Sequence, residues 1–249
     1  MKKLLEKIRQ FLRDLFGGAS SFDPLSNGYK LIFRDDFAHG IDWSKWDFRE
    51  PWSGINLTYK GRVIWRKECV VKKTHGLALI ADRDNPVANK CGLISSHNFM
   101  NFKYGFIEVS AKMPPQGFLY FPAIWMYDKR GWLPEIDIVE LMGPDSKRAT
   151  FTHHWLDAGG EHQSKGNGQA LSFDLSEGLH QFAVEWTQGK LTWFIDRKKY
   201  YETTKNIPDV GLFLICNIQA GGDPAFSHVF ETSEVPAEMI IKSIEVYQK

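Results

Sequence analysis

The chain is poor in cysteine, with Cys69, Cys91 and Cys216 the only three in 249 residues. An odd number at such separations implies neither a disulfide framework nor a C-x-x-C metal or redox site, and isolated cysteines behave as small buried hydrophobes. An excess of one charge is also missing. The 31 lysines and arginines meet 30 aspartates and glutamates, for a formal net charge of +1. Nucleic acid or an anionic membrane selects a broad basic surface, so neither is the expected partner. No run approaches the roughly 18–20 apolar residues of a membrane span, and no transmembrane segment is expected. G-x-G-x-x-G, G-x-x-x-x-G-K-[ST], H-E-x-x-H and G-x-S-x-G are all absent, which leaves dinucleotide, P-loop, zincin and serine-hydrolase readings without support.

Aromatic residues are abundant: 18 Phe, 9 Trp and 8 Tyr. Such a set builds an aromatic-rich β core, a surface that stacks flat ligands, or both. With 43% hydrophobic residues, the chain also has the material for one large core, which excludes disorder for most of it.

Residues 2–16 carry Leu4, Leu5, Ile8, Phe11, Leu12, Leu15 and Phe16 at the spacing of an amphipathic helix, and Gly17-Gly18 stop it. The organisation expected is a helix over 1–18, a connector over 19–28 and one domain over 29–249. The helix is expected to pack on its own domain or on a second copy, with docking on a partner protein or lying on a membrane surface as the alternatives. Glu6, Lys7, Arg9, Gln10, Arg13 and Asp14 break every candidate secretory h-region. The location is left open: the substrate is expected to be extracellular, and without a secretory signal the options are a virion- or surface-associated protein or one exported by another route.

From residue 30 the period changes. Runs such as 30–37, 76–83, 104–113, 134–141, 149–156, 180–187, 191–196, 211–219 and 239–248 are rich in β-branched and aromatic residues and are separated by turn residues. Many strands with almost no long helical pattern predict an all-β antiparallel sandwich or barrel.

The chemistry concentrates in Glu135-Ile-Asp137-Ile-Val-Glu140. In a strand, Glu135 and Asp137 share one face, and strict alternation sends Glu140 to the other. One extra residue in a β-bulge at Ile138 or Val139 returns Glu140 to its companions. Three acids on one face of an otherwise apolar strand are costly through desolvation and mutual repulsion, a cost retained for function more often than for packing. Paired carboxyl groups of this kind serve glycoside hydrolysis, one as nucleophile and one as acid and then base. His153, His154, His162 and Glu161 do not form an expected metal site, because adjacent histidines on a strand point to opposite faces.

EIDIVE resembles the E-x-D-x-x-E signature of glycoside hydrolase family 16, in its laminarinase, agarase and carrageenase branch. FRDDF (33–37), DWSKW (42–46), CGLISS (91–96), YGFIEVSAKMP (104–114), FPAIWM (121–126), THHW (152–155), HQFAVEW (180–186), LTWFID (191–196), NIQAGG (217–222) and IEVYQ (244–248) follow in the family's order. The resemblance implies a β-jelly-roll sandwich of two curved antiparallel sheets, concanavalin-like, with the catalytic strand crossing a cleft. It assigns Glu135 as nucleophile, Asp137 as its assistant and Glu140 as general acid/base, and it requires no cofactor.

Trp125 and Trp132 match positions that wall the sugar subsites, and His154 matches the family's His-Trp step. Asn217 and Gln219 share a strand face toward the cleft, whereas Cys216 and Ile218 turn to the core. Asn56, with Trp52, Tyr59 and Arg62, is placed on a loop at the far end of the cleft. Trp186 and Trp193, inside regularly alternating strands, are read as core. Lys242 stands where relatives carry a calcium-associated Asp, so no metal is expected.

The activity implied is retaining endo-hydrolysis of internal β-linkages in an extracellular polysaccharide, first a β-1,3-glucan of the laminarin type. β-Galactans and poly-N-acetyllactosamine stay open within the same chemistry. A non-catalytic glycan-binding jelly roll is the rival, and the intact acid triplet tells against it.

Overall fold

The computed structural model describes residues 21–49, 57–58, 63–85, 88–115, 120–142, 145–220 and 236–249. The expected N-terminal helix and the Asn56 loop lie outside them. Among the described residues the strands are β1 (Lys30–Asp35), β2 (Leu57–Thr58), β3 (Val63–Trp65), β4 (Val70–Lys73), β5 (Gly76–Asn85), β6 (Ala88–Cys91), β7 (Leu93–Ser95), β8 (Gly105–Lys112), β9 (Tyr120–Tyr127), β10 (Glu135–Glu140), β11 (Arg148–Leu156), β12 (His162–Ala170), β13 (His180–Thr187), β14 (Lys190–Ile195), β15 (Lys198–Thr203), β16 (Phe213–Ala220) and β17 (Ala237–Gln248). They form a β-jelly-roll sandwich. The back sheet runs β15-β14-β13-β8-β17-β5-β6-β3-β2, with β1 on β17 and β4 on β5; the front sheet runs β12-β11-β10-β9-β16-β7. Nearly every pairing is antiparallel, β3 with β6 being parallel.

Alternation explains how the layers meet. Ile107 and Val109 of β8, Phe182, Val184 and Trp186 of β13, and Leu191 and Trp193 of β14 face inward from the back sheet. Ile124 and Met126 of β9, Ile136 and Ile138 of β10, Phe151 of β11, and Leu214, Cys216 and Ile218 of β16 meet them from the front. Trp186 and Trp193 are wholly buried, as their alternating strands predict. The three cysteines are free and buried, and burial pushes the Cys91 thiol up to about 12.

The outer face of the back sheet has its own apolar cluster of Tyr29, Phe106, Ala183, Phe194 and Tyr247. Phe22 stacks on Phe106 at 4.9 Å, and its backbone N–H donates to the Arg197 carbonyl, so the segment before β1 covers this cluster.

Two features depart from the sequence expectation. β12 reads HQSKGNGQA, polar and without alternation, yet it pairs with β11 along its whole length. An edge strand needs only its backbone ladder, and its exposed faces leave no hydrophobic trace. Gly166 is required there: a Cβ would stand 2.5 Å from the Phe151 carbonyl and 2.7 Å from Thr152 Oγ1. β17 begins at Ala237 and carries a register shift between Ile241 and Ser243, which leaves Lys242 exposed.

Candidate active site

β10 is a central strand of the front sheet, between β9 and β11, and every one of its six residues is buried. Glu135 pairs with Tyr127 and Asp137 with Trp125, but Val139 then pairs with Ile124 and Glu140 with Ala123. Ile138 is therefore the extra residue of a bulge. It turns into the core with Ile136 while Glu140 returns to the face of the other two acids, because one inserted residue reverses the parity of everything after it. Trp193 Nε1 donates to the Asp137 carbonyl at 2.8 Å, fixing the backbone where the ladder is interrupted.

Glu135, Asp137 and Glu140 form the floor of a cavity of about 490 Å³. Its walls come from every second residue of two neighbouring strands: Phe121, Ala123, Trp125 and Tyr127 of β9, and Asn217 and Gln219 of β16. Trp65, Leu93 and Trp132 complete it. Trp125 stacks on Tyr127 at 5.0 Å and donates its indole N–H to Asn217 Oδ1 at 2.8 Å. Trp132 is 54% exposed at the rim, yet its Nε1 donates to Glu135 Oε2. Flat indole faces beside a few placed polar groups suit sugar rings, whose C–H faces are apolar and whose hydroxyls need partners.

Opposite Glu135 across the β10–β11 pair lies His154. Its Nε2 is 3.1 Å from Asp137 Oδ2 and 3.8 Å from Glu135 Oε1. Its Nδ1 is hydrogen-bonded to His162 Nε2 at 2.9 Å, and the two rings stack at 5.1 Å. His153 points the other way, wholly buried between the carbonyls of Lys165 and Lys205. Adjacent histidines thus serve opposite faces of β11, as alternation requires.

All three acids are held well above the usual carboxylate range. Burial and the charge of Asp137 push Glu135 up to about 9. Burial and the charge of Glu135 push Glu140 up to about 8. Burial and Glu140 raise Asp137. Groups this close titrate as a set, so their partners decide where a single negative charge settles. On Glu135 the neighbouring His154 and the Trp132 N–H favour the anion, against the charge and the hydrogen bond of Asp137, which favour the protonated form. Among the described residues Glu140 meets burial and a like charge, both favouring its protonated form. When the set gives up a proton, the Trp132 N–H and His154 are the groups that stabilise an anion on Glu135, while burial retains the Glu140 proton at neutral pH.

Of the residues singled out from sequence, Glu135, Asp137, Glu140, Trp125, Trp132, Asn217 and Gln219 meet in one cavity, with His154 against the acids. Asn56 falls outside the described residues. Trp65, Phe121, Tyr127 and His162 were not anticipated at the site. The parity that selected Trp125 also selects Phe121 and Tyr127, whereas Trp65 arrives from β3, far away in sequence, and His162 from the polar edge strand β12, where no alternation marks it.

The sequence profile of the glycosyl hydrolases family 16 matches residues 58–228. A β-glucanase of Paenibacillus polymyxa is 32% identical over 212 residues, covering 83% of this chain and 78% of that protein. A glucan endo-1,3-beta-glucosidase A1 of Niallia circulans is 25% identical over 91% of this chain, which spans only 39% of that longer relative. Among solved structures, the catalytic domain of an endo-1,3-beta-glucanase (laminarinase) from Thermotoga petrophila superposes with a TM-score of 0.76 at 26% identity, covering 89% of this chain and 98% of that one.

Proposed function

The chain belongs to glycosyl hydrolases family 16, and from that premise we propose that it is an endo-acting β-glucan hydrolase, with β-1,3-glucan of the laminarin type as substrate. The observation that carries the proposal is the bulged β10 strand, which sets three buried carboxyl groups in the floor of a tryptophan-walled cleft. A module that only binds sugar gains nothing from three mutually repelling buried acids. β-Glucan ranks above the β-galactans because relatives of both kinds above carry glucanase names.

In the proposed mechanism Glu135 attacks the anomeric carbon while Glu140 gives its proton to the departing glycosidic oxygen. The bond to the leaving sugar breaks as the Glu135 ester forms. Glu140, now ionised, takes a proton from water; the resulting nucleophile breaks the ester and releases the sugar with its original β configuration. Trp132 holds the Glu135 carboxylate in line through its N–H, and Asp137 shares a hydrogen bond with the same group. Trp125 and Trp132 supply ring-stacking faces, with Asn217 and Gln219 as hydroxyl partners. The Glu135→Gln change keeps shape and removes the nucleophile. On a panel of laminarin, mixed-linkage glucan, agarose and carrageenan, wild type should release reducing ends from the glucans while Glu135→Gln releases almost none. Wild-type rates in Glu135→Gln, or hydrolysis confined to the galactans, would overturn the proposal.

A further inference from the structure

The cleft contains a set of atoms with the geometry and chemistry of a transition-metal site. Glu135, Asp137 and His154 each offer one ligand atom, and these atoms all lie within 4.8 Å of one another. A tetrahedral zinc site with bonds of 2.0–2.2 Å sets its ligand atoms about 3.4 Å apart. The His154 Nε2 separations of 3.1 Å to Asp137 and 3.8 Å to Glu135 bracket that value.

Three further features point the same way. Asp137 is 2% exposed, and its Oδ2 faces His154 without the alignment of a hydrogen bond, so among the described residues this buried acceptor lacks a proper donor. His154 uses its other nitrogen, Nδ1, in a bond to His162 Nε2 at 2.9 Å, the arrangement in which a metal-bound imidazole is oriented by a second group. Among the described residues, no lysine or arginine pairs with Glu135, Asp137 or Glu140, so a dication would supply the positive charge that this acidic floor lacks.

We propose that Glu135, Asp137 and His154 bind a zinc-class divalent ion as an inhibitory site, with the fourth ligand position facing the cleft. One imidazole with two carboxylates suits Zn²⁺ or Cu²⁺ over Mg²⁺ or Ca²⁺, which require more oxygens. A bound ion occupies the lone pairs of Glu135 and stands where the sugar must enter. The inhibition rests on the role proposed for Glu135, but the binding does not.

The test is calorimetric titration of ZnCl₂ into the full chain in a non-chelating buffer, beside hydrolysis assays with and without EDTA. One ion should bind per chain, Mg²⁺ should give no comparable heat, and hydrolysis should fall with occupancy and return with EDTA. His154→Ala and Asp137→Asn, checked for folding by circular dichroism, should lose the site, whereas His162→Ala should weaken it about 10–100-fold. Equal zinc affinity in wild type and His154→Ala, or no stoichiometric binding in wild type, would overturn the proposal. Binding that His154→Ala abolishes, without loss of hydrolysis in wild type, would uphold the site and contradict Glu135 as nucleophile.

Discussion

Replacing Glu140 by glutamine should destroy activity and strengthen the fold. The side chain is buried, its carboxyl is pushed from 4.5 to about 8 by burial and by Glu135, and among the described residues no hydrogen-bond donor offsets either effect. Below pH 4.5 the acid is protonated in both folded and unfolded chains, so its raised value costs nothing. Above that, the unfolded chain ionises while the folded chain keeps its proton until about pH 8. Stability is therefore lost as pH rises through this window, at about 1.4 kcal/mol per unit. At pH 7, two and a half units above the unfolded value, the cost is on the order of 3 kcal/mol, the charge of Glu135 being already part of the shift. Glutamine carries no proton equilibrium and nearly the same volume, so Glu140→Gln should unfold at higher urea than wild type at pH 7. The difference should shrink toward zero near pH 4.5 and level off above pH 8. The assay is urea denaturation followed by tryptophan fluorescence at several pH values, with the slope compared between variants. A variant no more stable than wild type at pH 7, or a gap independent of pH, would refute the reasoning.

Trp132→Phe keeps an aromatic face at the rim but removes the N–H donated to Glu135. A hydrogen bond to a charged group is worth about 1.5–3 kcal/mol, so kcat should fall roughly 10- to 100-fold with a smaller change in KM. Because that donor favours the Glu135 anion, the ascending limb of the pH–rate profile should also move to higher pH. An unshifted limb would show that the donor does not act on the nucleophile. Trp186→Ala removes a wholly buried ring whose N–H bonds the Pro208 carbonyl at 3.0 Å. It should cost about 3–5 kcal/mol in urea denaturation; a loss below 1 kcal/mol would contradict its place in the core.

Strands with one face in the core were legible because burial imposes a period of two. β10, β11, β13 and β16 all alternate around residues such as Ile136, Phe151, Val184 and Ile218, and the same parity separated Asn217 and Gln219 from Cys216. The bulge was legible only through chemistry, since nothing in Ile138 or Val139 marks it apart from the need to bring Glu140 round to Glu135. β12 was illegible for the opposite reason. Its exposed polar residues answer to the backbone ladder alone, and His162, weighed beside His154 only as a metal ligand, was not placed as its hydrogen-bond partner. Trp65 joins the cavity from β3, remote in sequence from every other lining residue, and only the topology of the sheets brings it there.

The most direct test of the account is proton NMR of laminarin hydrolysis during the first minutes, before mutarotation, with chromatographic sizing of the same products. Two displacements at one anomeric carbon, by Glu135 and then by water, predict that new reducing ends appear first as the β anomer, on oligosaccharides of mixed length. Early α anomer would mean a single displacement, and release of glucose alone would mean attack from chain ends; either result would contradict the proposed roles of the β10 carboxyl groups in an endo-acting, retaining hydrolase.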